Sequence, residues 1–95
     1  MKLVRIPLED GRRLKPGEFA LGPGREADVT ILTMVCPNGR QECGVGLVRG
    51  EPDQIRKIHG WDGNEEEPTI TPSIGCDNAP RCGWHGSITG GDRKP

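Results

Sequence analysis

The sequence predicts a small, mostly β domain, and three observations point to that class. Apolar residues nowhere recur at helical spacing over three turns, and glycine or proline interrupts almost every window of ten residues. Several short stretches instead alternate in polarity or are rich in β-branched residues, as strands are. Only 32% of the 95 residues are hydrophobic, which limits the apolar core to a small one.

The N-terminal region, residues 1–27, is predicted to be a strand followed by an extended arm. Residues 3–8 alternate roughly as a strand does, and the turn pair Asp10-Gly11 closes them. Residues 14–24 contain two prolines and three glycines, so we expect a loop or arm there.

Residues 28–89 are predicted to form the β core of a single domain that spans residues 1–95. The stretch DVTILTMV is rich in β-branched residues and long enough to cross a small sheet. A polar turn region is expected at residues 60–68, and the tail, residues 90–95, is expected to fray. The predicted strands of this core are residues 28–35, 45–49, 54–58, 69–71 and 87–89.

The charge balance argues against nucleic-acid binding. Thirteen basic and fourteen acidic residues leave a formal net charge of −1, whereas nucleic-acid binders need an excess of Lys and Arg on one face. No stretch approaches the roughly 18 apolar residues of a membrane span, and the first residues lack a signal-peptide core. We therefore expect a cytoplasmic protein, in the bacterial host cytoplasm or in a virion if it is phage-encoded, that binds neither nucleic acid nor membrane.

Four cysteines and a histidine are the clearest candidates for chemistry. Cys36 and Cys43 flank the hairpin tip CPNGRQEC, and Cys82 and His85 stand close together in CGWHG. Such ligands on turns between strands are typical of a structural zinc site, as in a zinc ribbon. A structural zinc contributes roughly 10–16 kcal/mol, which offsets the cost of ordering so glycine-rich a backbone. The sequence thus predicts one zinc ion, with disulfides as the alternative in an oxidising compartment.

The fourth zinc ligand is either His85 or Cys76. Two residues separate Cys82 from His85, so both side chains reach one ion from a single turn. Cys76 must return to the site across a longer loop that Pro80 stiffens. The spacing therefore favours the set with His85, and Cys76 is the alternative. The predicted metal ligands are Cys36, Cys43, Cys82 and His85.

The second half of the chain resembles a group of small bacterial and bacteriophage proteins of unassigned function. The resemblance rests on a CP…CG hairpin, on WDGN, on PTITPSI over residues 68–74, and on a closing cysteine and histidine ahead of Ile88. It covers roughly residues 34–91, and PTITPSI is its most specific part. The resemblance implies the ligand set with His85, because the histidine stands three residues before Ile88, and it implies no biochemical activity.

The string CGWHG also resembles the second box of a Rieske iron–sulfur domain, in which one cysteine and one histidine bind a [2Fe–2S] cluster. The first box, C-x-H, is missing, because neither Cys36 nor Cys43 is followed by a histidine at that spacing. The fold expected from the layout of the cysteines and from the Rieske likeness is a zinc-ribbon-like or Rieske-like β domain with an extended N-terminal arm.

These observations predict a structural protein rather than an enzyme. A thiolate-rich metal set is typical of a closed structural site, and no nucleophile or acid–base pair stands out along the chain. We expect a zinc-binding accessory protein, phage-encoded or attached to a virion, that acts through contacts with a protein partner or a larger assembly. The alternative is a [2Fe–2S] electron-transfer domain or a metal-dependent catalytic domain.

Overall fold

The computed structural model describes residues 1–8, 13–35, 42–75 and 84–95. Within these ranges the chain forms eight β-strands and no helix, which confirms the mostly β prediction. All eight strands belong to one sheet, in which each strand lies beside the next one in sequence. The strands are β1 Val4–Arg5, β2 Glu18–Pro23, β3 Thr30–Val35, β4 Glu42–Arg49, β5 His59–Trp61, β6 Ile70–Gly75, β7 His85–Thr89 and β8 Asp92–Lys94.

The sheet curls so that its first and last strands meet. Strands β1 and β2 are parallel, as are β4 and β5, and every other neighbouring pair is antiparallel. Beside β1, Lys2 forms a bridge with Asp92 of β8, and the Leu3 backbone N–H donates to the Gly91 carbonyl at 2.8 Å. These contacts bring the first and last strands of the sheet together around one core.

The core lies on the concave side of the sheet and follows the period of a strand. In β4 every second residue is buried, from Cys43 through Val45 to Leu47, while Glu42 and Gly44 are exposed. Partners from other strands complete the packing, and several of them are fully buried. The buried cluster is Leu3, Phe19, Leu32, Met34, Val45, Leu47, Trp61, Ile70, Ile74 and Ile88.

The N-terminal arm is part of the sheet. Residues 18–23, which were expected to be loop or arm, form β2, and Phe19 within it is fully buried. The tail also differs from the expectation, because residues 92–94 form β8 and Arg93 is only 7% exposed. The prediction from local glycine and proline content therefore missed strands β2 and β8, because pairing with neighbouring strands overrides local propensity.

The strand predicted at residues 54–58 is a turn, and the neighbouring turn region contains a strand instead. The Asp53 carboxylate accepts the backbone N–H of Arg56 at 3.0 Å, and Lys57 adopts a φ of 58°, which suits a turn. Strand β5 begins immediately after this turn, at His59. It includes Gly60, where a Cβ would come 2.4 Å from the Gly50 carbonyl oxygen, so only glycine allows this approach.

An ion cluster fixes that turn against the start of β3. The Arg56 guanidinium donates to the carboxylates of Asp53 at 2.6 Å, Asp28 at 2.8 Å and Glu26 at 2.7 Å. These hydrogen bonds hold the pKa of Asp28 below its usual range. The backbone and side-chain hydrogen bonds from Arg56 likewise lower the pKa of Asp53.

No helix in the described ranges has the length and apolarity to cross a membrane.

Candidate active site

Ser73 of β6 and His85 of β7 form a hydrogen-bonded pair on the surface of the sheet. The Ser73 Oγ lies 3.2 Å from the His85 Nε2, and both residues are exposed. A serine hydroxyl bonded to an imidazole nitrogen is the arrangement in which a nucleophile and its general base are poised for proton transfer.

An irregularity in β6 brings Ser73 to this position. Ile70 pairs with Ile88, but the next recorded pair is Ile74 with Gly86, so three residues of β6 stand opposite one residue of β7. Ser73 is one of the three, and the Thr71–Pro72 peptide bond beside it is cis. Bulges re-aim side chains and are common next to active sites. The extra residues thus place the Ser73 hydroxyl next to a histidine of the neighbouring strand.

His59, at the start of β5, holds the backbone of Ser73 from the other side. Its Nε2 lies 3.2 Å from the Ser73 carbonyl oxygen. A carbonyl only accepts hydrogen bonds, so His59 donates through a protonated Nε2. Ser73 is therefore held between two histidines. One contacts its hydroxyl and the other contacts its main chain.

Two glycines make room around His85. A Cβ at Gly75, which pairs with His85 across the strands, would lie 3.4 Å from the imidazole Cδ2. A Cβ at Gly86 would come within 1.9 Å of the Lys94 backbone oxygen, so glycine is required there for β7 to approach β8. This explains the final glycine of CGWHG by strand packing.

Arg93 of β8 anchors the segment that leads into His85. Its guanidinium lies 5.8 Å from the centre of the Trp84 ring, and its Nη1 donates to the Val35 carbonyl at 2.8 Å. Because Arg93 is buried, these charge-assisted contacts are made away from bulk water. They connect the residue before His85 to the end of β3.

Two cavities border the residues next to Ser73 in the chain. One of about 520 Å³ precedes it along the strand and is lined by apolar groups from Pro52, Ile58 and Pro72, together with His59. The other, of about 180 Å³, lies on its far side and is bounded by Gly44, Gly46, His59, Ile74, Gly75 and Trp84. A further cavity of about 590 Å³ lies beside Arg5, and none of these three cavities is lined by Ser73 or His85. Pro72 and Ile74, the residues on either side of Ser73 in the chain, border one cavity each.

The predicted metal ligands fall into two groups. Cys36, Cys76 and Cys82 lie outside the described residues. Cys43 is buried in β4, and its sulfur is disulfide-bonded, while His85 points its Nε2 at Ser73. Among the residues that the structure describes, no three metal-binding side chains come together. The metal set therefore stays a prediction.

The all-β sheet with a surface serine bonded to a histidine defines a candidate serine hydrolase. A sequence model of the BubE family, described as the serine protease of a bacterial ubiquitination-like system, matches residues 6–94. The chain therefore belongs to the BubE family. No curated protein and no solved structure matches it.

Family membership corrects the functional predictions. A zinc-binding structural protein of phage or virion, and a Rieske-like electron-transfer or metal-dependent catalytic domain, were both wrong, because the family is one of serine proteases. The expectation that the chain is not an enzyme was wrong for the same reason. That expectation failed because Ser73 and His85 lie on different strands, and no fixed sequence spacing marks such a pair.

The sequence did carry a signal for both residues. Ser73 lies in PTITPSI, the most specific part of the bacterial and phage resemblance, and His85 lies in CGWHG. PTITPSI has exposed residues at three consecutive positions, Thr71 to Ser73, where a half-buried strand would alternate. Packing explains the buried Pro68, Ile70 and Ile74 of this motif but not the exposed Ser73, which was the available indication of a site.

Proposed function

We propose that this chain is a serine protease that uses Ser73 as the nucleophile and His85 as the general base. The observation that carries the proposal is the 3.2 Å contact between the Ser73 Oγ and the His85 Nε2, in a chain of a serine protease family. The cavities that border Pro72 and Ile74 support it, because they leave space for a substrate chain near the serine.

The chemistry follows from the pair. His85 Nε2 takes the proton of the Ser73 hydroxyl as Oγ attacks the scissile carbonyl, forming a tetrahedral intermediate. The protonated imidazole then gives that proton to the leaving nitrogen or oxygen, and an acyl-serine remains. A water molecule, deprotonated by His85 in turn, hydrolyses the acyl-serine and restores the free hydroxyl.

His59 serves this reaction as a positioning residue. Its hydrogen bond to the Ser73 carbonyl holds the bulged part of β6, and a serine displaced by about 1 Å loses on the order of 10²-fold in rate. In the described ranges no carboxylate bonds to His85, so the pair acts there as a dyad with its orientation supported by strand pairing.

The substrate class follows from the family's description. Because the family is described as the serine protease of a bacterial ubiquitination-like system, we propose a protein chain as the substrate and proteins as the partners. A mixed, nearly balanced charge of −1 suits such contacts better than nucleic acid.

The metal prediction is a separate proposal in which the cysteines, not the dyad, hold the ion. Because His85 Nε2 contacts Ser73 and the Cys43 sulfur is disulfide-bonded, the ion would bind only after reduction, with Cys36, Cys43, Cys76 and Cys82 as its ligands. No catalytic step involves the ion.

Hydrolysis of a small activated ester such as p-nitrophenyl acetate tests the proposed reaction. Ser73→Ala and His85→Ala are each expected to lower the rate by about 10²–10⁴-fold, because each removes one member of the nucleophile–base pair. Ser87→Ala, on the same strand pair, is the matched control and is expected to retain the wild-type rate. Wild-type turnover by Ser73→Ala would contradict the proposal.

A further inference from the structure

The cavity of about 590 Å³ beside Arg5 continues into a second cavity of about 350 Å³. The two cavities share three lining residues, Ala27, Thr30 and Arg49. The shared walls make them parts of one groove, with Arg49 where they meet. We call this surface the arginine groove, and neither Ser73 nor His85 lines it.

The three carboxylates among the lining residues of the arginine groove already have cationic partners. Glu65 accepts a hydrogen bond from Arg5 at 3.0 Å. Glu26 and Asp28 accept hydrogen bonds from Arg56 at 2.7 Å and 2.8 Å. Because each negative charge is matched at contact distance, these side chains do not neutralise the other arginines of the groove.

Two of those arginines, Arg25 and Arg49, have exposed side chains that form no ion pair in the described part of the chain. Arg49 is nevertheless held in place. Its guanidinium lies 5.5 Å from the centre of the Trp61 ring, and its Cζ would lie 3.6 Å from a Cβ at Gly63. Stacking on an aromatic ring uses the plane of the guanidinium and leaves its N–H donors for another acceptor.

These features favour an acidic peptide as the ligand. A guanidinium matches a carboxylate through two parallel hydrogen bonds, and Leu21 and Pro23 of β2 add apolar wall beside the arginines. A nucleic acid carries a phosphate at every nucleotide, so it would also face the carboxylates of the groove, which repel it. A peptide can place carboxylates at the two unpaired arginines and small apolar side chains elsewhere.

We propose that the arginine groove binds an acidic segment of a partner protein, with one carboxylate at Arg49 and a second at Arg25. This site goes beyond the proposed proteolysis and does not depend on it, because it is built from other residues. Both arginines are exposed, so binding of a short peptide is expected to weaken as salt is added.

The test is an NMR titration of the ¹⁵N-labelled full chain with acetyl-Ala-Glu-Ala-Glu-Ala-amide. Residues two apart on an extended peptide share one face, so its two carboxylates can reach the same groove. The Trp61 indole N–H and the Arg49 Nε–H are the reporters, and we expect both to shift with a Kd of about 1 mM or tighter. The matched peptide acetyl-Ala-Gln-Ala-Gln-Ala-amide is expected to shift neither. Equal binding of the glutamine peptide, or no shift with the glutamate peptide, would overturn the proposal.

Substitutions of the two arginines locate the site. Arg49→Gln is expected to raise the Kd of the glutamate peptide about fivefold, and Arg49→Gln combined with Arg25→Gln at least about tenfold, because each removes one exposed charge pair. Arg13→Gln, at an exposed arginine outside the groove, is the matched control and is expected to retain the wild-type Kd. An unchanged Kd in the double variant would contradict the inference.

Two further measurements separate the alternatives. A single-stranded oligothymidylate of about twelve nucleotides is the second probe, and binding tighter than that of the glutamate peptide would overturn the proposal in favour of nucleic acid. Ser73→Ala is expected to bind the glutamate peptide with the wild-type Kd. The proposed reaction can therefore fail in its own assay while peptide binding persists, and the two failures are distinguishable.

Discussion

Strands β2, β3 and β4 form a regular half of the sheet, and β5, β6 and β7 form an irregular half. In the regular half β3 pairs residue by residue along its whole length with β4, and Phe19, Leu32 and Met34 are fully buried. In the irregular half β5 has three residues, and the β6–β7 register shifts at Ser73. Both halves contribute side chains to the core, since Trp61, Ile70 and Ile88 of the irregular half are buried in it, but only the irregular half also places a serine beside a histidine.

The largest stability effect is expected in the regular half. Phe19→Ala removes a fully buried aromatic ring and should lower the free energy of unfolding by about 3–5 kcal/mol. Ile55→Ala, at a side chain that is 95% exposed, is the control and should change it by less than about 0.5 kcal/mol. Urea unfolding followed by tryptophan fluorescence measures both. A loss below about 1 kcal/mol for Phe19→Ala would contradict this division of the sheet.

The next effect concerns Cys43, which lies on β4 in the regular half and borders the 180 Å³ cavity. Its disulfide is expected to add about 2–4 kcal/mol to the free energy of unfolding. Urea unfolding of the wild-type protein without and with reductant measures this difference. Cys43→Ser should lose this dependence on reductant. If the reduced wild-type protein holds about one equivalent of zinc and is as stable as the oxidised protein, Cys43 is a metal ligand, as the sequence predicted.

The smallest effect is a pH dependence at the Arg56 cluster. Hydrogen bonds from Arg56 lower the pKa of Asp28 and of Asp53, so their contribution to stability is present above the unfolded value of about 3.9 and is lost as pH falls below it. The Tm of the wild-type protein should therefore fall on acidification below about pH 4. Arg56→Gln should flatten that fall, whereas Arg49→Gln, whose guanidinium lies over Trp61, should not. Identical slopes in the wild type and Arg56→Gln would contradict this explanation.

The sequence predicted the regular half better than the irregular half. The β-branched run that ends at Val35 and the alternation through Val45 indicated β3 and β4, because a half-buried strand leaves a period of two. Strand β2 was missed because its burial depends on partners distant in sequence, and Phe19 is its only large side chain in the core. The strand predicted at residues 54–58 failed because hydrogen bonds of Asp53 to Arg56 favour a turn.

The active site was the least predictable part. Ser73 and His85 are twelve residues apart on different strands, and only the shifted register brings their side chains together. His59 was equally hidden, because its role depends on a hydrogen bond to a main-chain carbonyl. The cysteines were predicted as a site because the spacing of metal ligands can be read from a sequence. The contact of a hydroxyl with an imidazole across a bulge cannot be read in that way.

Ser73 and His85 are tested most directly by labelling the protein with a fluorophosphonate and locating the adduct by mass spectrometry. We expect one adduct per chain, on Ser73, that is absent from Ser73→Ala and forms at least about 10²-fold more slowly in His85→Ala. Ser87, on the neighbouring strand, should remain unmodified in all three proteins. An adduct on another serine, or equal labelling of the wild type and Ser73→Ala, would contradict the assignment of Ser73 and His85 as the catalytic pair.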